Sequence, residues 1–264
     1  MAGIRCWQVD AFTDRPFGGN PAAVCWLDAE PESAWMQSVA AEMNLSETAF
    51  VWRANDQLEL RWFTPTVEVD LCGHATLATA RAIWSDGLVP LDQPLRFQTR
   101  SGELTCHRRG DFIELDFPAT PPTEISPSAL LIESLGVTPV YVGTSRFYQL
   151  AVLESPNLVR SVQPDYRKMA QIPTRGVIVT AASDDPRFDF ISRFFAPALG
   201  VDEDPVCGSA HCCLAPYWAG RLGRTTLQAY QASARGGVLK LRWEVDRVIL
   251  GGQAVIVWRG ECYC

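Results

Sequence analysis

The chain repeats itself. Arg61-Trp62-Phe63-Thr64-Pro65 runs into Glu68-Val69-Asp70-Leu71-Cys72-Gly73-His74-Ala75 and then an apolar stretch to Ser85. Arg193-Phe194-Phe195-Ala196-Pro197 runs into Glu203-Asp204-Pro205-Val206-Cys207-Gly208-Ser209-Ala210 and a second such stretch to Gly220. The offset is 197 − 65 = 132 residues at the proline and 207 − 72 = 135 at the cysteine. Each copy reads aromatic strand, proline, acidic turn, Cys-Gly, helix. A period this long means duplication of a whole domain, not a solenoid of short repeats. The same features in the same order make coincidence a poor explanation.

The remaining pattern fits two α+β domains, with many strands and a few long helices. Phe112 to Phe117, Val238 to Trp243 and Ala254 to Trp258 alternate or run apolar as strands do. Pro31 to Met43 has helical spacing with Asn44 as its stop, Ala75 to Ser85 forms the helix after Gly73, and Ser128 to Leu135 ends at Gly136. Pro118 to Pro127 holds four prolines in ten residues and reads as an extended linker. The expected domains are therefore 1–117 and 128–264, with 118–127 between them and the last strands able to cross over.

Composition narrows the function. Hydrophobic residues at 47% and charged residues at 20% belong to a globular chain, and a formal charge of −7 argues against nucleic acid or an anionic membrane as partner. No segment reads as a signal peptide or a membrane span, so the expected location is cytoplasmic. Nine scattered cysteines are then expected as reduced thiols. The close groups His211-Cys212-Cys213 and Cys262-Tyr263-Cys264 lack zinc-ligand spacing, so no metal is expected. No Walker loop or Gly-x-Gly-x-x-Gly follows a strand, and Gly236-Gly237 and Gly251-Gly252 lack the flanking pattern for a nucleotide.

Several segments together resemble the PhzF-like family of phenazine biosynthesis. They are Val9 to Ala22 with its Gly18-Gly19-Asn20-Pro21, Asn44-Leu-Ser-Glu47-Thr-Ala-Phe50, Asp70-Leu-Cys-Gly-His74-Ala-Thr76, Glu203 to His211, Gln231 to Gly237, and Gly251 to Val255. The resemblance covers essentially the whole chain. It implies a diaminopimelate-epimerase-like fold: two similar domains, each a barrel-like, mostly antiparallel sheet around a central helix. It also implies an active site in the cleft between them, usually in a homodimer. The family's best-known activity is cofactor-free isomerisation of a dihydro-hydroxyanthranilate by moving a proton.

Glu47 closes a polar turn and precedes the apolar run Thr48 to Trp52, where a carboxylate is partly desolvated and suited to taking up and returning a proton. In the family the glutamate at this position is the acid/base, and the residues at His74, Asp204 and Ser209 belong to the site. Cys72-Gly73 and Cys207-Gly208 sit where helices should begin, and free N–H groups there make a pocket for a carboxylate, with Asp70 beside the first. The expected ligand is a small acidic molecule. Arg235-Gly236-Gly237 reads as a hairpin turn, Asn20-Pro21 as a structural turn beneath the site, and His107 as exposed.

The cysteines open a second reading. A helix start lowers a thiol's pKa, and the related racemases and epimerases of this fold use one cysteine from each half as opposed acid/base groups. This chain has both, Cys72 and Cys207, where many PhzF-like proteins have threonine at the second. Those racemases typically carry Cys-Gly-Asn-Gly where this chain has Cys-Gly-His-Ala. A third reading is a non-catalytic binding protein on the same fold.

Overall fold

The structure is a computed structural model that describes residues 3–263, so Cys264 of the terminal Cys-Tyr-Cys lies outside the described residues. The chain divides into two compact units. One is Met1–Asp116 with Gly251–Cys264, and the other is Phe117–Leu250.

The first unit begins with β1 (Ile4–Ala11) and β2 (Asn20–Leu27), continues through α1 (Ser33–Met43), and returns in β3 (Glu47–Ala54) and β4 (Gln57–Phe63). Asn44 ends α1 in the left-handed conformation, its N–H donating to the Ala40 carbonyl. A short β5 (Glu68–Val69) leads into α2 (Gly73–Ser85), followed by β6 (Leu95–Thr99), β7 (Gly102–Arg109) and β8 (Phe112–Pro118). The sheet is mostly antiparallel, with β2–β3 and β4–β6 parallel.

The second unit repeats the plan. Its elements are β9 (Thr123–Glu124), α3 (Ala129–Leu135), β10 (Tyr141–Thr144), β11 (Tyr148–Val152), α4 (Pro156–Ser161), α5 (Tyr166–Met169), β12 (Gly176–Ala182) and β13 (Phe190–Ala196). Then come β14 (Val201–Asp204), α6 (Gly208–Leu222), β15 (Thr226–Gln231), β16 (Gly237–Glu244) and β17 (Arg247–Gly252), after which the chain returns to the first unit in β18 (Ala254–Cys262). Here β11–β12 and β13–β15 are the parallel pairs, matching β2–β3 and β4–β6. The proline-rich stretch contains β9, which pairs with β10. The last strand, β18, pairs along the whole of β1 and completes the first unit's sheet.

Each unit wraps its sheet around one helix. In α2 nearly every residue from His74 to Trp84 is buried, and in α6 nearly every residue from Gly208 to Ala219. A helix apolar on all sides belongs inside a sheet, not on it. α2 packs on β1, β2, β3 and β18. The fit is close: a Cβ at Gly252 would stand 2.4 Å from Phe12 Cδ1 and 2.7 Å from Leu77 Cδ1 on α2.

The repeated arginines do the same work in both halves. Arg61 Nε donates to Glu68 at 2.7 Å and its guanidinium lies 5.3 Å from the Phe63 ring centroid. Arg193 Nε donates to Glu203 at 2.7 Å and lies 4.8 Å from the Phe195 ring. A forked guanidinium matches a carboxylate bidentately. Each pair ties the acidic turn to the strand before it and so fixes where the next helix begins.

Candidate active site

Cys72 is extended (φ −143°, ψ 108°) and caps α2, so the chain turns into the helix at Gly73. The first intrahelical bond runs from Thr76 N–H to the Cys72 carbonyl, which Thr76 Oγ1 also reaches at 2.6 Å. The N–H groups of Gly73 and His74 precede it and have no intrahelical acceptor, which makes this helix start an anion pocket.

Three strands of contact converge on His74, itself only 5% exposed. Its Nε2 lies 3.2 Å from Glu47 Oε2, at the first residue of β3. Its Nδ1 lies 3.3 Å from Asn20 Nδ2 and 3.5 Å from Cys72 Sγ. The ring therefore turns Nε2 toward the carboxylate and Nδ1 toward the amide and the sulfur, so both nitrogens face polar partners. Burial works against a second proton, but the Cys72 sulfur and the Glu47 carboxylate outweigh it and hold the imidazole's pKa well above its ordinary value.

Glu47, Cys72 and His74 bring a carboxylate oxygen, a sulfur and a ring nitrogen within 4.8 Å of one another. The imidazole stands between the other two, one nitrogen to each. That arrangement suits proton traffic better than three ligands aimed at one ion.

The second unit builds a similar corner from different chemistry. Cys207 is extended (φ −101°, ψ 104°) and caps α6. Its N–H donates to Gln231 Oε1 at 2.9 Å, and Gln231 Nε2 donates to the Asp204 carbonyl at 2.7 Å. Ser209 Oγ lies 3.3 Å from Cys207 Sγ and 2.7 Å from the hydroxyl of Tyr148. Tyr148 opens β11 as Asn20 opens β2, and each holds the residue that follows Cys-Gly. No carboxylate stands at the β3-equivalent position, because β12 starts with Gly176.

Two thiol expectations are corrected. Burial pushes the Cys72 thiol up from its ordinary value, and the Glu47 carboxylate adds to the rise. Burial also pushes Cys207 well above its ordinary value, with Asp204 adding to it. Desolvation outweighs the helix start at both positions. Asn20 is a second correction, since it is fully buried and touches His74 instead of serving only a turn.

The other candidates are placed as follows. Asp70 is exposed and its backbone carbonyl accepts from Ser101 Oγ. Asp204 ends β14 and interacts with the Cys207 thiol. His107 is exposed. His211 is fully buried, its Nδ1–H donating to the Cys207 carbonyl at 2.8 Å, and burial lowers its pKa to about 4. It takes the role Thr76 has in the other half, four residues after the capping cysteine. Tyr148 lies outside the repeated motif, and nothing in the sequence pointed to it. Among the described residues no helix is long and apolar enough to cross a membrane.

Known proteins match this architecture along its length. The phenazine biosynthesis-like protein family matches residues 9–260. An uncharacterized isomerase of Halalkalibacterium halodurans is 52% identical over 263 residues, covering 99% of each chain. The crystal structure of a phenazine biosynthesis protein of the PhzF family from Enterococcus faecalis is 42% identical, covers 100% of both chains and superposes with a TM-score of 0.95. A probable proline racemase from Agrobacterium radiobacter K84, 11% identical with a TM-score of 0.66 over 98% of this chain and 93% of its own, shares the epimerase-like fold. The chain belongs to the phenazine biosynthesis-like protein family and is an isomerase of that family.

Proposed function

We propose that the chain isomerises a small carboxylate-bearing substrate without a cofactor, with Glu47 moving the proton. The carboxylate takes a proton from a substrate carbon, leaving a delocalised carbanion and a Glu47 carboxylic acid. The acid then returns the proton to a second carbon of the same molecule, so the atoms balance with no co-reactant. The Gly73 and His74 N–H groups offer the substrate carboxylate its acceptor site. Asp204, Ser209, Cys207 and Gly208 are the corresponding candidates of the second half.

The observation that supports this reading most is the contact between Glu47 Oε2 and His74 Nε2 at 3.2 Å. It sets one carboxylate oxygen against the imidazole and leaves the other for the substrate proton. The side chain is 19% exposed, enough to reach a ligand yet largely desolvated. A two-thiol racemase draws support from Cys72 and Cys207 capping equivalent helices. Against it, both thiols are buried and held protonated.

The test is a panel of small cyclic and unsaturated carboxylic acids that includes a dihydro-hydroxyanthranilate. Turnover should fall by roughly 10²–10⁴-fold in Glu47→Gln while ligand binding persists. Full activity in that variant would overturn the assignment.

A further inference from the structure

Three thiols lie together on the face of the first unit's sheet that packs under α1. Cys6 on β1 stands directly opposite Cys25 on β2, with the sulfurs 3.4 Å apart. On its other side Cys6 faces Gly260 of β18, which carries no side chain. Cys262, two residues along on the same face of β18, therefore stands diagonally across from Cys6 and packs against the same cluster. Cys6 and Cys25 are essentially fully buried in the cluster around Met36, Phe50 and Phe63. Cys262 at the cluster's edge is partly exposed.

We propose that Cys262, Cys6 and Cys25 are a peroxide-reactive thiol relay whose end product is a Cys6–Cys25 disulfide. Cys262 is the thiol that solvent reaches. A hydroperoxide oxidises it to the sulfenic acid and is itself reduced to the alcohol or water. The Cys6 sulfur attacks that sulfenic acid, forming a Cys6–Cys262 disulfide and releasing water. Cys25 then attacks Cys6, forming the Cys6–Cys25 bond and returning Cys262 as a thiol. Directly opposed residues on antiparallel strands sit at the separation a disulfide spans, so the final bond needs only closure of the existing sulfur contact. The sulfur contact with Cys25 lowers the Cys6 thiol from its ordinary value against the opposing effect of burial, which favours Cys6 as the attacking group. None of these residues touches Glu47 or His74 in the proposed chemistry, so the relay stands or falls independently of the isomerase reading.

The reduced full-length protein is treated with equimolar hydrogen peroxide, quenched with N-ethylmaleimide and mapped by mass spectrometry. The expected product is a Cys6–Cys25 crosslinked peptide pair lighter by two hydrogens and restored by dithiothreitol. Cys262→Ser should slow its formation roughly tenfold or more, because the exposed entry thiol is gone. Cys25→Ser, or Cys25→Ala if the serine variant fails to fold, should trap the Cys6–Cys262 disulfide. Recovery of Cys6 and Cys25 as alkylatable thiols after peroxide, with Cys262 carried on to sulfinic acid, would overturn the proposal. So would a Cys6–Cys25 disulfide that forms equally fast without Cys262.

Discussion

The Asn20 amide meets Nδ1 of His74 across 3.3 Å, joining the first residue of β2 to the second residue of α2, 54 positions along the chain. This contact fixes which ring nitrogen faces Glu47. Its counterpart in the other half is the Tyr148–Ser209 hydrogen bond at 2.7 Å. Tyr148 stands two residues further along its strand than Asn20 does, so the two halves hold the residue after Cys-Gly from different positions.

Removing that amide should disturb chemistry more than binding. In Asn20→Ala the imidazole loses its amide partner at Nδ1, and kcat should fall by roughly one to two orders of magnitude with KM little changed, the size found for partners that orient histidine ligands. The Nδ1 chemical shift of His74 should move in the same variant, because Nδ1 is the nitrogen that loses its partner. A variant that kept both kcat and the shift pattern would show that the amide only fills space.

His74 also couples stability to pH. Its folded pKa is raised above the ordinary 6.5, so its stabilising contribution is full below about pH 6.5 and is lost as pH rises through the folded value. The stability difference between the wild type and His74→Gln should therefore shrink from pH 6 toward pH 9. Urea midpoints measured across that range check it, and a difference that grew with pH would reverse the sign.

The two arginine clamps should differ in weight. The Arg193 side chain is 8% exposed and also donates to the carbonyls of Val159 and Val162. Arg193→Met leaves Glu203 without its partner and should cost about 3 kcal/mol in denaturant unfolding. Glu68 keeps a second cation, Arg100 at 2.9 Å, when Arg61 is removed. Arg61→Met should cost about 1 kcal/mol. Equal losses would mean that neither the carbonyl bonds of Arg193 nor the second cation on Glu68 separates the two pairs.

The repeat made much of the fold legible, because strand, acidic turn and Cys-Gly recur with their pairing partners intact. Arg61 and Arg193 are readable as equivalents from sequence, and their carboxylate partners fall at the matching positions. Glu47 and His74 were visible as motif residues. Asn20 was visible in a motif too, but its contact with His74 was not, because that partner is distant in sequence and only the folding of β2 against α2 brings them together. Tyr148 gave no signal, since tyrosine and asparagine share nothing in sequence although they open equivalent strands. The thiols misled for a physical reason: a helix start lowers a pKa, but enclosure on every side raises it more, and enclosure is invisible in a motif.

The exchange of substrate protons with deuterated solvent probes the role of Glu47 most directly. With a turned-over carboxylic acid, wild type, Cys72→Ser and Cys207→Ser should all incorporate deuterium at the migrating position, and Glu47→Gln should not. Exchange that survives in Glu47→Gln and vanishes in either cysteine variant would contradict the carboxylate shuttle and assign the proton to the thiols.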